Sequence, residues 1–127
     1  MALLSLSLIT FSWLSYSVLI PANPMPLTSP TFELRSDTND QLYVREVVLV
    51  LSGTLVTQVE VTVFNGKKGA QNAAVTVQIY DWNGNLISQG STTISVPGKK
   101  TNIATVTLSP SVPYSTIGRV VASVSRR

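Results

Sequence analysis

The sequence predicts a mainly β protein: an immunoglobulin-like antiparallel β-sandwich preceded by a long uncharged apolar α-helix. The helix is indicated by the first 32 residues, which contain no Asp, Glu, Lys or Arg. The sandwich is indicated by apolar residues at every second position from Thr31 onward, because period two places alternate side chains on one face of a strand. Turn-forming residues separate these runs at intervals of about 8–12 residues, which is typical of a sandwich. A chain of 127 residues accommodates one such domain.

The first 20 residues, MALLSLSLITFSWLSYSVLI, are apolar or aromatic except for six Ser and Thr. A helix of that length spans about 30 Å, the thickness of the hydrocarbon core of a bilayer. The six hydroxyls do not collect on one helical face, and a helix that is apolar all round is one that is buried all round, in lipid or in protein. Four prolines between residues 21 and 30 end the helix near Ile20 and predict an extended linker over 21–30.

Two other interpretations of residues 1–20 remain open. A cleavable signal peptide requires a basic first region, and no Lys or Arg occurs before Arg35. An extended segment is favoured by the alternation of Ser5-Leu6-Ser7-Leu8, and such a strand would complete the sheet of a neighbouring subunit.

The body, residues 31–127, reads as seven or eight strands. Asn83-Gly84 predicts a two-residue type I′ hairpin turn, and Ser109-Pro110-Ser111-Val112-Pro113 predicts a break. No second helix is predicted. The expected strands are 31–36, 42–51, 54–64, 73–82, 85–89, 92–96, 102–108 and 117–125.

The composition argues against an enzyme. His and Cys are both absent, which excludes His-dependent triads, Cys nucleophiles, disulfides and metal sites built on these residues. The lysine pairs Lys67-Lys68 and Lys99-Lys100 stand in turn-like loops, where a solvated position is the expected role. We therefore predict no catalytic residue and no cofactor.

Metal, nucleic-acid and sugar sites are not predicted either. Asp37 and Asp40 lack the closing Glu of a calcium loop and are interpreted as a turn. The two lysine pairs and Arg126-Arg127 are too sparse for a nucleic-acid footprint. Tyr80 and Trp82, beside the hairpin, are expected to pack across strands. None of the seven Asn begins an Asn-x-Ser/Thr acceptor, so N-linked glycosylation is not predicted. O-linked glycosylation of Ser and Thr remains an open alternative.

The layout resembles that of an archaeal type IV pilin, in which an uncharged apolar N-terminal helix precedes a hydroxyl-rich immunoglobulin-like domain. The resemblance rests on the uncharged stretch Ala2–Ile20, the break at Pro21–Pro30 and the β-domain ending in Val120–Arg127. The segments Ala74–Ile87 and Thr92–Lys100 are similar to strand and hairpin segments of these domains. No basic leader is visible, and no acid occurs before Glu33, which favours the archaeal over the bacterial type.

The resemblance implies a homopolymer whose N-terminal helices are bundled along a filament axis and stored in the membrane before assembly. One small sandwich cannot cover the whole circumference of a helix, whereas many identical helices can cover one another in an open helical polymer. The implied assembly residues are the large apolar side chains of the helix: Leu3, Leu4, Leu6, Leu8, Ile9, Phe11, Trp13, Leu14, Tyr16, Val18, Leu19 and Ile20.

The leading hypothesis is therefore a structural subunit of an extracellular, cell-surface type IV-like pilus used in adhesion. The second hypothesis is a filament subunit that donates its N-terminal segment as a strand to its neighbour. The third is a membrane-anchored β-sandwich binding module that does not polymerise.

Overall fold

The computed structural model describes residues 29–127. The predicted helix over 1–20 and most of the predicted linker lie outside the described residues, and no helix within 29–127 has the length and apolar character to cross a membrane. The described chain forms seven strands and one 3₁₀ turn, Tyr114–Thr116. The strands are β1 Thr31–Arg35, β2 Leu42–Ser52, β3 Leu55–Asn65, β4 Gln71–Tyr80, β5 Leu86–Val96, β6 Thr101–Pro113 and β7 Arg119–Arg126.

The strands form two layers that share one core. One layer has the order β1-β7-β4-β5 and the other has the order β6-β3-β2, and the pair Gln89–Ser109 joins them along one edge. Seven strands in two layers confirm the prediction of a mainly β, immunoglobulin-like sandwich for residues 31–127. One pairing differs from the expected antiparallel arrangement, since β1 runs parallel to β7.

The predicted inward faces form the core. The alternating apolar residues of β3, β4, β6 and β7 are all buried, as period two requires when one face of a strand is covered. Val121 points to the opposite face of β7 and is also buried, between its cross-strand partners Glu33 of β1 and Gln78 of β4. The buried inward residues are Val59, Val61, Val63, Ala73, Val75, Val77, Ile79, Ala104, Val106, Leu108, Val120, Ala122 and Val124.

The prediction of two strands at 85–89 and 92–96 is wrong, because β5 is continuous from Leu86 to Val96. Gly90 lies in the gap between these two predicted strands, and in the structure it pairs with Val77 inside the sheet. A Cβ at Gly90 would lie 2.2 Å from the carbonyl oxygen of Thr107. This glycine therefore permits the close approach of β5 and β6 where the two layers meet.

The predicted break at 109–113 is also wrong, because β6 continues to Pro113. Here the strand changes partners instead of ending. Ser109 pairs with Gln89 of β5, and Val112 pairs with Val56 of β3 after a register shift. A strand that switches between layers at an irregular point closes one corner of a sandwich.

The predicted type I′ turn at Asn83-Gly84 is replaced by a five-residue loop, 81–85. The amide of Gly84 donates to the carbonyl of Asp81 at 3.1 Å. Only Gly84 of the two central residues has a positive φ, of 86°, whereas a type I′ turn requires both. The Asp81 side chain accounts for the difference, because it accepts from the backbone N–H groups of Asn83 and Asn85, each at 2.9 Å.

Candidate functional site

The loops gather at two opposite ends of the sandwich with different chemistry. We call one the apolar end: the turn 53–54, the loops 81–85 and 114–118, and the exposed side chains of Leu51, Leu55, Trp82 and Leu86. We call the other the basic end: the loops 36–41, 66–70 and 97–100 with Arg126 and Arg127.

Backbone hydrogen bonds hold the loops of the apolar end together. Tyr114 N–H donates to the carbonyl of Thr54 at 2.9 Å, and Gly118 N–H donates to that of Tyr80 at 2.8 Å. A Cβ at Gly118 would lie 2.7 Å from the carbonyl oxygen of Asp81, so the two loops approach as closely as glycine allows. The loops beside the exposed apolar side chains are therefore fixed relative to one another.

Trp82 is half exposed, and its indole is held in place. Its Nε1–H donates to the carbonyl of Ser115 at 3.0 Å, across the apolar end. Tyr80 lies beside it in sequence, and the guanidinium of Arg119 stacks over the Tyr80 ring at 4.3 Å from the centroid. The expected cross-strand packing thus applies to Tyr80, whereas Trp82 presents an ordered apolar surface to solvent.

The N-terminal segment joins the domain at the apolar end. Thr31 N–H donates to the carbonyl of Gly118 at 3.0 Å, and the preceding Pro30 is buried. Burial raises the pKa of Tyr114, and a hydrogen bond with the Ser29 side chain partly opposes this. The uncharged residues 1–28 are therefore attached beside the exposed apolar side chains.

A buried amide network organises the basic end. The Asn65 side chain is fully buried and donates to the carbonyls of Gly69 and Val96 at 2.8 and 3.0 Å. Its Oδ1 accepts from Lys67 N–H at 2.9 Å and from the Gln71 side chain at 2.8 Å. One side chain thereby joins loop 66–70 to the end of β5.

The two lysine loops touch each other through their backbones. Lys99 N–H donates to the carbonyl of Lys67 at 2.9 Å, with Lys99 at a φ of 59°. A Cβ at Gly98 would lie 1.8 Å from the carbonyl oxygen of Lys68. The sequence places these lysine pairs 32 residues apart, and the fold brings them together.

Asp37 and Asp40 act within the basic end. Desolvation would raise the pKa of Asp37, but hydrogen bonds from the backbone N–H groups of Arg126 and Asp40 outweigh it, so the pKa lies below its ordinary value. Asp40 pairs with Lys67 at 3.3 Å and with Arg126 at 3.8 Å. Within 29–127 no three acidic side chains form a group that could hold a metal ion.

A family comparison assigns the domain. The model of the mannosidase Ig/CBM-like domain matches residues 57–125, which is more than half of the chain. The chain belongs to the mannosidase Ig/CBM-like domain family. The match runs from β3 to β7 and so contains the loops 66–70, 81–85, 97–100 and 114–118 of both ends of this Ig/CBM-like domain.

Other comparisons add little to that assignment. The crystal structure of a DUF1425 family member from Shewanella sp. pv-4 is similar to this fold, at 19% sequence identity and a TM-score of 0.49. The superposition covers 68% of this chain and 76% of the Shewanella chain. A likeness at that level says nothing about function. No curated protein matches the chain.

The predicted assembly residues, Leu3 to Ile20, lie outside the described residues. The fold instead identifies features that the sequence analysis missed: the buried Asn65–Gln71 pair, the ordered Trp82 and the convergence of six basic side chains. Asn65-Gly66 looks like an ordinary loop tip in the sequence, because the partner that buries Asn65 against the end of β5, the carbonyl of Val96, lies 31 residues away.

Proposed function

We propose that the chain is the structural subunit of an extracellular type IV-like pilus, used in surface adhesion and assembled through residues 1–20 as a helix. The observation that carries the proposal is the polarity of the domain. The uncharged N-terminal segment joins at the end with exposed apolar side chains, and most of the positive charge lies at the opposite end.

This polarity suits a filament with its apolar segments on the axis. Burying an unpaired charge in such a core costs several kcal/mol, so the uncharged residues 1–28 fit the axis and the basic end fits the outside. Leu51, Leu55, Trp82 and Leu86 would then lie next to the helical core and contact helices of neighbouring subunits. Such contacts repeat without closing in a helical polymer.

The domain supplies its own core, which favours a bundled helix over strand exchange. All buried apolar side chains of the described core come from β2 to β7 and the segment that joins β6 to β7. No buried polar side-chain atom within 29–127 lacks a hydrogen-bond partner. A sandwich of this kind does not need a donated strand to fill its interior.

One observation favours the second candidate, assembly by strand donation. β2 is an edge strand of its layer, and its segment Val47–Leu51 is apolar and half exposed. An edge strand offers unpaired backbone N–H and C=O groups to an added strand. The alternating segment Ser5–Leu8 of another copy would suit this edge.

Electron microscopy of the purified full-length chain tests the proposal. We expect filaments from the full-length chain and a monomeric β-domain, by circular dichroism and light scattering, after removal of residues 1–28. Absence of filaments overturns the proposal, and association with vesicles alone would then favour a membrane-anchored module. An unfolded truncated domain would show that the N-terminal segment is part of the sandwich.

Two lysine variants separate the two modes of assembly. In a bundled helix that is enclosed all round, Ser7→Lys and Leu8→Lys both place an ammonium in a dry core and abolish filaments. In a donated strand, residues 7 and 8 face opposite sides, so Ser7→Lys is tolerated and only Leu8→Lys is harmful. Ser91→Lys, at an exposed position of β5, adds the same charge and serves as the control. Normal filaments from Ser7→Lys would replace the helical model by strand donation.

A further inference from the structure

The basic end concentrates the positive charge of the protein. Six of the nine Lys and Arg residues lie there with only two acidic residues, Asp37 and Asp40, which leaves four net positive charges. The remaining three basic and four acidic side chains leave the rest of the molecule with one net negative charge. The six are Lys67, Lys68, Lys99, Lys100, Arg126 and Arg127.

Four of these six side chains have no acidic partner within residues 29–127. The ion pairs of the basic end join Asp40 to Lys67 and to Arg126. Lys68, Lys99 and Lys100 make no ion pair there, and the guanidinium of Arg127 donates only to the hydroxyl of Thr93, at 3.0 Å. These cations are therefore available to an external anion.

The loops that carry the cations are fixed relative to one another. The Asn65 network and the contact of Gly98 with Lys68 hold loops 66–70 and 97–100 together, and Arg127 N–H donates to the carbonyl of Asn72 at 2.9 Å. An open cleft of about 380 Å³ lies between the loop 66–70 with the start of β4 and the C-terminal Arg126 and Arg127. Its lining combines cations with amide and backbone groups: Lys67, Gly69, Ala70, Gln71, Asn72, Arg126 and Arg127.

We propose that the basic end binds an acidic polysaccharide, a polymer that carries repeated carboxylate or sulfate groups. Fixed, unpaired cations at several points match repeated anions along a chain, and amide groups beside them match sugar hydroxyls. The loops of the basic end contain no aromatic side chain for stacking on nucleic-acid bases. They also contain none of the exposed large apolar side chains that would insert into a bilayer.

The proposal does not depend on filament formation, because the basic end is built wholly from residues 36–127. Binding is measured on the full-length chain in a non-ionic detergent, with immobilised polygalacturonate and dextran sulfate as the carboxylate and sulfate probes and neutral dextran as the reference. We expect binding to at least one acidic polymer at about 150 mM salt, with an affinity that falls steeply as salt rises.

A pair of charge-matched double variants locates the site. Lys68→Gln with Lys100→Gln should lower the affinity about tenfold and reduce the slope of log affinity against log salt by about two. Arg45→Gln with Arg119→Gln removes the same charge from side chains that stack on Phe64 and Tyr80, and should change both quantities little. Circular dichroism melts check that both variants are folded.

Three results overturn the proposal. One is the absence of binding to either acidic polymer at about 150 mM salt. Another is an equal loss of affinity in the two double variants, which would assign the binding to net charge alone. The third is tighter binding to duplex DNA or to phosphatidylserine vesicles than to both polysaccharides, which would assign the basic end to a different class of partner.

Discussion

The two ends of the sandwich are ordered by different interactions. At the basic end, one buried side chain, Asn65, makes four hydrogen bonds to groups in three segments of chain. At the apolar end, order comes from backbone hydrogen bonds and from the exposed side chains of Asp81 and Trp82, while large apolar side chains stay exposed. A buried polar network is sensitive to any missing partner, whereas water can replace a partner that is lost at an exposed position.

The difference shows how a small domain separates two surfaces. At the basic end, the buried side chain of Asn65 fixes the loops, so the exposed lysine side chains are not needed to hold the loops together. The apolar end leaves Leu51, Leu55, Trp82 and Leu86 without cover from residues 29–127, next to the point where the uncharged segment is attached. Substitutions of matched residues at the two ends measure this asymmetry.

The largest difference is expected for the two asparagines Asn65 and Asn85. Asn65→Ala removes four hydrogen bonds and leaves buried groups of loop 66–70 and β5 without partners, so it should lower the free energy of unfolding by about 2–4 kcal/mol. Asn85→Ala removes one exposed contact of 3.4 Å to Asp81 and should cost less than about 0.5 kcal/mol. Urea unfolding of both variants measures the difference. Equal costs would mean that the buried network does not stabilise the basic end.

The next difference is expected for the two glycines Gly98 and Gly53. Gly98→Ala forces its Cβ against the backbone of Lys68, so the lysine loops must separate, at a cost of about 1–3 kcal/mol. Gly53→Ala has open space around it, and its cost of about 1 kcal/mol comes only from a φ of 64°.

Hydrogen exchange distinguishes these two glycine variants by place. The amide of Lys99, bonded to Lys67, should exchange faster in Gly98→Ala and at the wild-type rate in Gly53→Ala. Unchanged exchange at Lys99 in Gly98→Ala would show that the two loops adjust without opening.

The sequence predicts the inward-facing residues of the strands well and the turns between strands poorly, for a physical reason. Val59, Val61 and Val63 are buried as expected, because period two depends only on neighbours along the chain. The conformation of Asn83-Gly84 depends on a nearby side chain, Asp81, whose hydrogen bonds override the dipeptide preference.

The interaction surfaces are harder to predict than the strands. The basic end arises from loops up to 90 residues apart, and nothing local in Lys67-Lys68 or Lys99-Lys100 indicates that the two pairs meet. The hydrogen bond that orders the Trp82 indole is not predictable from the sequence either, because its acceptor, the carbonyl of Ser115, lies 33 residues away. Such groupings follow from topology, which a single sequence does not specify residue by residue.

The smallest effect is expected at Asp81, which orders loop 81–85 of the apolar end. Hydrogen bonds from the backbone N–H groups of Asn85 and Asn83 hold the pKa of this carboxyl below its ordinary value of 3.8. A carboxyl with a lowered pKa in the folded state stabilises the protein above its unfolded pKa, and this contribution is lost as the pH falls through the folded pKa. Asp81→Asn keeps a neutral acceptor and removes the charge, so it should lower the melting temperature slightly at pH 7, and the difference from wild type should shrink as the pH falls below about 4. Thermal melts of both proteins between pH 7 and pH 2 measure this. A difference that stays constant or grows in acid would mean that the ionised carboxylate does not hold the loop.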